Sequence, residues 1–189
     1  MYLIQQEYSS IHRTSTVKKI TILFISAFFA TSCTSVNHVT NDYIQVEDDP
    51  YKTVKIYNGL TNQEYELYGL QKRITHTSNI RSIEEKDTGE FTHQLYAAVT
   101  YFGSWHNFER AAYRGGRDAG FTAIDQTQEY CTDHTCKLTE RFSIPLDEDF
   151  LIENRDGFTI KVFAESGEEI ILSLTNFQIS AQLSYLGLQ

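Results

Sequence analysis

The chain has 189 residues, with 25 Asp and Glu against 16 Lys and Arg and a formal net charge of −9 at pH 7. An acidic balance disfavours nucleic acid as a partner, because a polyphosphate repels it. Hydrophobic residues make up 41% of the chain, enough for one core of ordinary domain size, and the 12 Tyr and 12 Phe suit half-buried pleated surfaces.

In chain order the first feature is a leader. Lys18 and Lys19 precede an apolar run from Ile20 to Ala30, and small residues then lead into Cys33. Positive, apolar and small segments in that order read as a signal peptide. The run is about 11 residues, short of the roughly 20 that a bilayer-spanning helix needs, so removal is expected rather than a spanning anchor. Ala30-Thr31-Ser32-Cys33 resembles the lipobox of bacterial lipoproteins, in which a small residue precedes a cysteine that is acylated and then becomes the first residue. Ala30 stands where that family usually has Leu. The resemblance implies a signal peptide over 1–32 and a lipid, palmitate among its chains, on Cys33. Thr34 is not the Asp that holds such proteins at the inner membrane, which implies the outer membrane, with the domain facing the periplasm. Residues 1–16 form an n-region longer than needed and include Glu7. Met1 is the only methionine, so Val17 is the later start this reading offers.

Residues 33–42 are then the lipidated cysteine and a polar tether, and 43–189 a single β-rich domain. Thr53–Tyr57 and Tyr65–Ile74, separated by Asn58-Gly59-Leu60-Thr61-Asn62, predict a hairpin. Phe91–Phe102 is apolar on both parities and predicts a central strand covered on both faces. Phe108–Arg114, Phe121–Tyr130 and Lys137–Pro145 follow as strands, and Phe158–Ala164 and Ile170–Leu174 alternate with period two around a turn at Glu165–Glu168. Helix signals are confined to Asp147–Asn154 and to a C-terminal segment capped by Asn176, with Ile179, Leu183 and Leu186 on one face. The expected class is all-β, an antiparallel sandwich or partly closed barrel with one or two short helices.

With Cys33 assigned to lipid, Cys131 and Cys136 remain, and an even remainder in an exported chain predicts a disulfide across a hairpin tip. Glu140 shares the inward parity of Leu138, Phe142 and Ile144. A carboxylate removed from water needs a partner, and the expected one is Arg114 or Arg110, placed inward by the parity of Phe108 and Ala112. His76, His93, His106 and His134 show no metal-ligand spacing. Gly115-Gly116 reads as a turn, although its amides, with Arg114 and Arg117, also suit a phosphate or carboxylate. The runs Glu47-Asp48-Asp49 and Asp147-Glu148-Asp149 read as solvated acids, with a weak divalent-cation site as the alternative. Trp105, with Tyr101 and Phe108, is a contact surface if exposed and a lid on the core if buried.

No catalytic residue, cofactor or metal is assigned. The expected function is a lipid-anchored envelope protein that binds or assembles without catalysis, with the membrane and an envelope protein as partners. The competing expectation is a periplasmic hydrolase using Glu140 with a histidine. The two differ in whether Glu140 lines an open pocket within reach of a histidine or a second acid, or is sealed against arginine.

Overall fold

The computed structural model describes residues 43–68 and 72–188. The leader, Cys33 and the tether lie outside the described residues, and so do the expectations placed on them. No helix among the described residues is long and apolar enough to cross a membrane.

The strands are β1 (Gln45–Glu47), β2 (Val54–Asn58), β3 (Asn62–Tyr68), β4 (Lys72–Glu85), β5 (Phe91–Gly103), β6 (Phe108–Tyr113), β7 (Thr122–Cys131), β8 (Cys136–Leu146), β9 (Gly157–Ala164) and β10 (Glu169–Thr175). Helix α1 (Glu148–Glu153) joins β8 to β9, and α2 (Asn176–Leu186) follows β10. The larger sheet runs β1-β2-β4-β5-β8-β7 with β3 also beside β4; the smaller runs β10-β9-β6. Neither sheet closes, so of the two architectures expected the sandwich is the one formed.

Alternation builds the core. Leu95, Ala97, Val99 and Tyr101 of β5 and Leu138, Phe142 and Ile144 of β8 turn to one side. They share a single cluster with Ile160 and Val162 of β9 and Ile170, Leu172 and Leu174 of β10. Each large apolar side chain so buried contributes roughly 1.5–3 kcal/mol against conformational entropy. Strand β5 is central, between β4 and β8, but only one of its faces is buried. The other carries Thr92 and Phe102 exposed and Tyr96 half-covered by the Arg81 guanidinium at 3.9 Å, so the expected double coverage does not occur.

The expected first hairpin is also corrected. β2 and β3 do not pair with each other; they run end to end along β4, β2 beside Arg81–Glu85 and β3 beside Lys72–Ser78. Gly59 joins them without leaving the sheet, its N–H bonded to the Ile80 carbonyl at 2.8 Å. A Cβ there would lie 2.5 Å from Gln182 Oε1 and 2.9 Å from the Ile80 carbonyl. Glycine is therefore set by the close approach of α2, not by a turn. The β9–β10 hairpin pairs as its alternation predicts, Ile170 opposite Val162 and Leu172 opposite Ile160. The cap of α2 falls one residue earlier than expected: Thr175 accepts from the Gln178 amide at 3.3 Å, and the Gln178 side chain accepts from the Thr175 amide at 3.0 Å.

Candidate functional site

Glu140 lies on β8 with its side chain inward, 3% exposed, as its parity predicts. Five donors close on it. The Tyr101 hydroxyl and the backbone amides of His106 and Asn107 donate to Oε1, each amide at 3.1 Å. The Phe108 amide and Gln126 Nε2 donate to Oε2, both at 3.1 Å. The three consecutive amides belong to the loop carrying the chain from β5 in one sheet to β6 in the other. Asn107 has a positive φ of 56°, which turns successive N–H groups toward one point. Such a concavity binds an anion, and here the chain supplies its own. Burial, and then the bond to the carboxylate, hold the Tyr101 phenol above its ordinary pKa, so it remains a donor.

The expected ion pair with Arg114 or Arg110 is not formed among the described residues. The reason is a β-bulge between Phe108 and Arg110, which shifts parity by one residue. Phe108 faces inward, but beyond the bulge Ala111 takes the inward position and Arg110 turns out, its guanidinium 3.7 Å from the centre of the Phe163 ring. Tyr101 and Phe108 are core residues, 2% and 5% exposed, and not the contact surface expected of them. Trp105 is half-buried and packs against the core, the lid alternative.

Glu140 and a second acid, Asp125, both line a groove of about 270 Å³, the position the hydrolase expectation gives to Glu140. Gln126 donates to Oε2 of Glu140, and Asp125 is held by Arg141 at 2.7 Å. His106 contributes its backbone amide, while its ring lies tilted 4.0 Å from the Tyr101 centroid and meets Ser166 Oγ through Nδ1 at 3.1 Å.

A second polar cluster gives no signal in the sequence. Ser82 Oγ lies 2.8 Å from His93 Nδ1, Gln182 Nε2 donates to Ser82 Oγ at 2.7 Å, and Glu148 approaches His93 Nε2 at 3.6 Å. The residue types are those of an acyl-transfer triad, but Ser82 is fully buried and open to no groove among those described. Burial, outweighing Glu148, lowers the His93 pKa. Ser82, His93 and Gln182 stand on three elements, so only the fold brings them together. The remaining histidines fall apart: His76 is buried against Glu64 at 3.3 Å, and His134 is exposed in the turn between β7 and β8. No three His, Cys, Asp or Glu among the described residues gather as a metal set. Of the two acid runs, Asp48 pairs with Lys55 and Lys86, and Glu148 and Asp149 occupy the first turn of α1. Cys131 and Cys136 are joined by a disulfide across the β7–β8 tip, the bridge expected from the sequence.

The Gly115-Gly116 turn closes β6, with Gly116 N–H bonded to the Tyr113 carbonyl at 3.0 Å and both glycines at positive φ. Two grooves meet there. One, of about 390 Å³, lies over β6 and β9 and is lined by Arg114, Gly115, Gly116, Lys161, Phe163 and Ile171 among others. The other, of about 450 Å³, is lined by Tyr113, Arg114, Arg117, Phe150, Asn154 and Phe158 with two further residues. Arg117 sits over the Tyr113 ring at 4.4 Å and the Phe150 ring at 5.2 Å. Burial raises the Tyr113 phenol despite the Arg117 charge, so it too is a donor at neutral pH. Sequence reasoning singled out Arg114, Gly115, Gly116 and Arg117; Phe150, Phe158 and Lys161 come from α1 and β9 and carry no local signal.

Fold and site together define an antiparallel β-sandwich with an internally satisfied carboxylate and an arginine-aromatic outer surface. Compared with protein-family models, curated proteins and solved structures, the chain matches none.

Proposed function

We propose that the chain is an exported, lipid-anchored envelope protein of the outer membrane whose β-sandwich binds a partner and does not catalyse a reaction. The observation that supports the non-catalytic half is that Glu140, although it lines a groove, has both oxygens occupied by donors. A general acid or base must reach a proton on its substrate, whereas both oxygens of this carboxylate face donors of the protein itself. Support for the anchor is the Lys18-Lys19, apolar and Ala30–Cys33 order of the leader.

Mass spectrometry of the native protein tests the anchor: the expected N-terminus is an acylated Cys33, and Cys33→Ser is expected to release the domain from membranes. An unmodified chain starting elsewhere removes this half of the reading. Envelope material hydrolysed by the wild type but not by a folded Glu140→Gln variant removes the other half.

A further inference from the structure

The chain carries a net charge of −9, and Lys55, Lys86, Lys137, Arg141 and Lys161 each sit beside a carboxylate. Arg110, Arg114 and Arg117 make no ion pair among the described residues, although they cluster along one strand and its turn. Two of the three guanidiniums are oriented by aromatic rings, Arg110 by Phe163 and Arg117 by Tyr113. Stacking fixes the guanidinium plane while leaving its N–H edge free to donate.

We propose that the two grooves meeting at Arg114 form one binding site for a small ligand that carries a phosphate or carboxylate on an apolar or ring body. The linings of both grooves contain Arg114 and no acid; Arg117 adds a second guanidinium to one, while Lys161 in the other is already paired with Glu169. Volumes of about 390 and 450 Å³ suit a small molecule. Tyr113, Phe150 and Phe158 offer the ring contacts beside the charge. Acids surround the site without joining its lining: Glu169 pairs with Lys161, Asp118 follows Arg117, Asp147 acts on Tyr113, and Asp156 precedes Gly157. Such surroundings repel an extended polyanion or a flat anionic membrane, yet leave the grooves open to a compact anion. Size and charge therefore select the same ligand class.

This deepens the binding half of the proposed function and rests on it, but not on the lipid anchor. The test is titration calorimetry of the whole chain in neutral detergent with phenyl phosphate, benzoate and inorganic phosphate as probes. An aromatic anion is expected to bind more tightly than inorganic phosphate. Arg114→Gln is expected to weaken it by at least about tenfold, since a charge-assisted guanidinium bond is lost. Arg155→Gln, outside both groove linings, is expected to leave binding unchanged. No binding of either aromatic anion, equal affinity for inorganic phosphate, or indifference to Arg114→Gln would overturn the site. Adsorption to phosphatidylglycerol vesicles that depends on Arg114, without binding of the aromatic anions, would overturn it in favour of a membrane contact. Because these arms need no acylated Cys33, their failure leaves the anchoring test standing.

Discussion

The interior around Glu140 and the surface around Arg114 are opposite solutions to the same electrostatic problem. Inside, one anion meets five donors, all from the chain. Outside, Arg110, Arg114 and Arg117, on one strand and its turn, make no ion pair among the described residues. A buried charge removed from bulk water is costly unless the fold itself supplies its hydrogen bonds. An exposed charge is held by water and can wait for a ligand. The first arrangement therefore belongs to stability and the second to recognition, and each variant below is a way to break that division or sharpen it.

The largest effect is expected at Glu140→Gln. Its amide turns a donor toward donors, and denaturant unfolding should register a loss of about 3 kcal/mol. That corresponds to a drop in Tm of roughly 6–12 °C for a chain of this size. An unchanged stability would mean that the interior anion is not needed, and the division would fail. Replacing both cysteines, Cys131→Ser with Cys136→Ser, should remove about 2 kcal/mol through loop-closure entropy. It should leave ligand binding alone, since the tip contributes to neither groove at Arg114. Tyr101→Phe removes one donor from the carboxylate and should lower stability by about 1.5 kcal/mol, a fraction of the Glu140→Gln effect.

His93 supplies a smaller, pH-dependent effect. Its folded pKa is depressed by burial against Ser82 and Gln182, with Glu148 and the stacked Phe91 ring beside it. The unfolded chain therefore takes up the proton first as pH falls. This contribution should be complete above pH ~6.5, the ordinary imidazole value, and decline below it. Thermal unfolding followed from about pH 7.5 to about pH 5.5 should show a shallower loss in His93→Gln than in the wild type. The smallest effect is expected at Arg114→Gln: stability unchanged within about 0.5 kcal/mol, because the side chain is exposed. A larger loss would place Arg114 in the fold and weaken its claim on a ligand.

Much of this division was legible in outline. The alternation in β9 and β10 named their inward residues and their turn, and the parity of β8 placed Glu140 in the core. The nature of its partners was not legible. A carboxylate in a strand asks for compensation, but backbone amides look alike at every position, and the donors at His106, Asn107 and Phe108 exist only where the loop between the sheets bends. The bulge after Phe108 leaves no mark in the pattern of apolar residues, so simple parity sent Arg110 the wrong way. Gly59 misled for a related reason: a glycine between two strands resembles a turn, and the approach of Gln182 that explains it comes from α2, far along the chain.

The sequence alone determined the antiparallel β class, the inward placement of Glu140 and the pairing of Cys131 with Cys136, because side-chain alternation and short-range spacing are local properties. Tertiary structure alone decided that five neutral donors, rather than arginine, hold that carboxylate. It also decided that Arg114 stands where two grooves meet, and that Ser82, His93 and Gln182 share one buried network. Those outcomes depend on which distant segments face each other, and a one-residue shift at a bulge is enough to exchange core for surface.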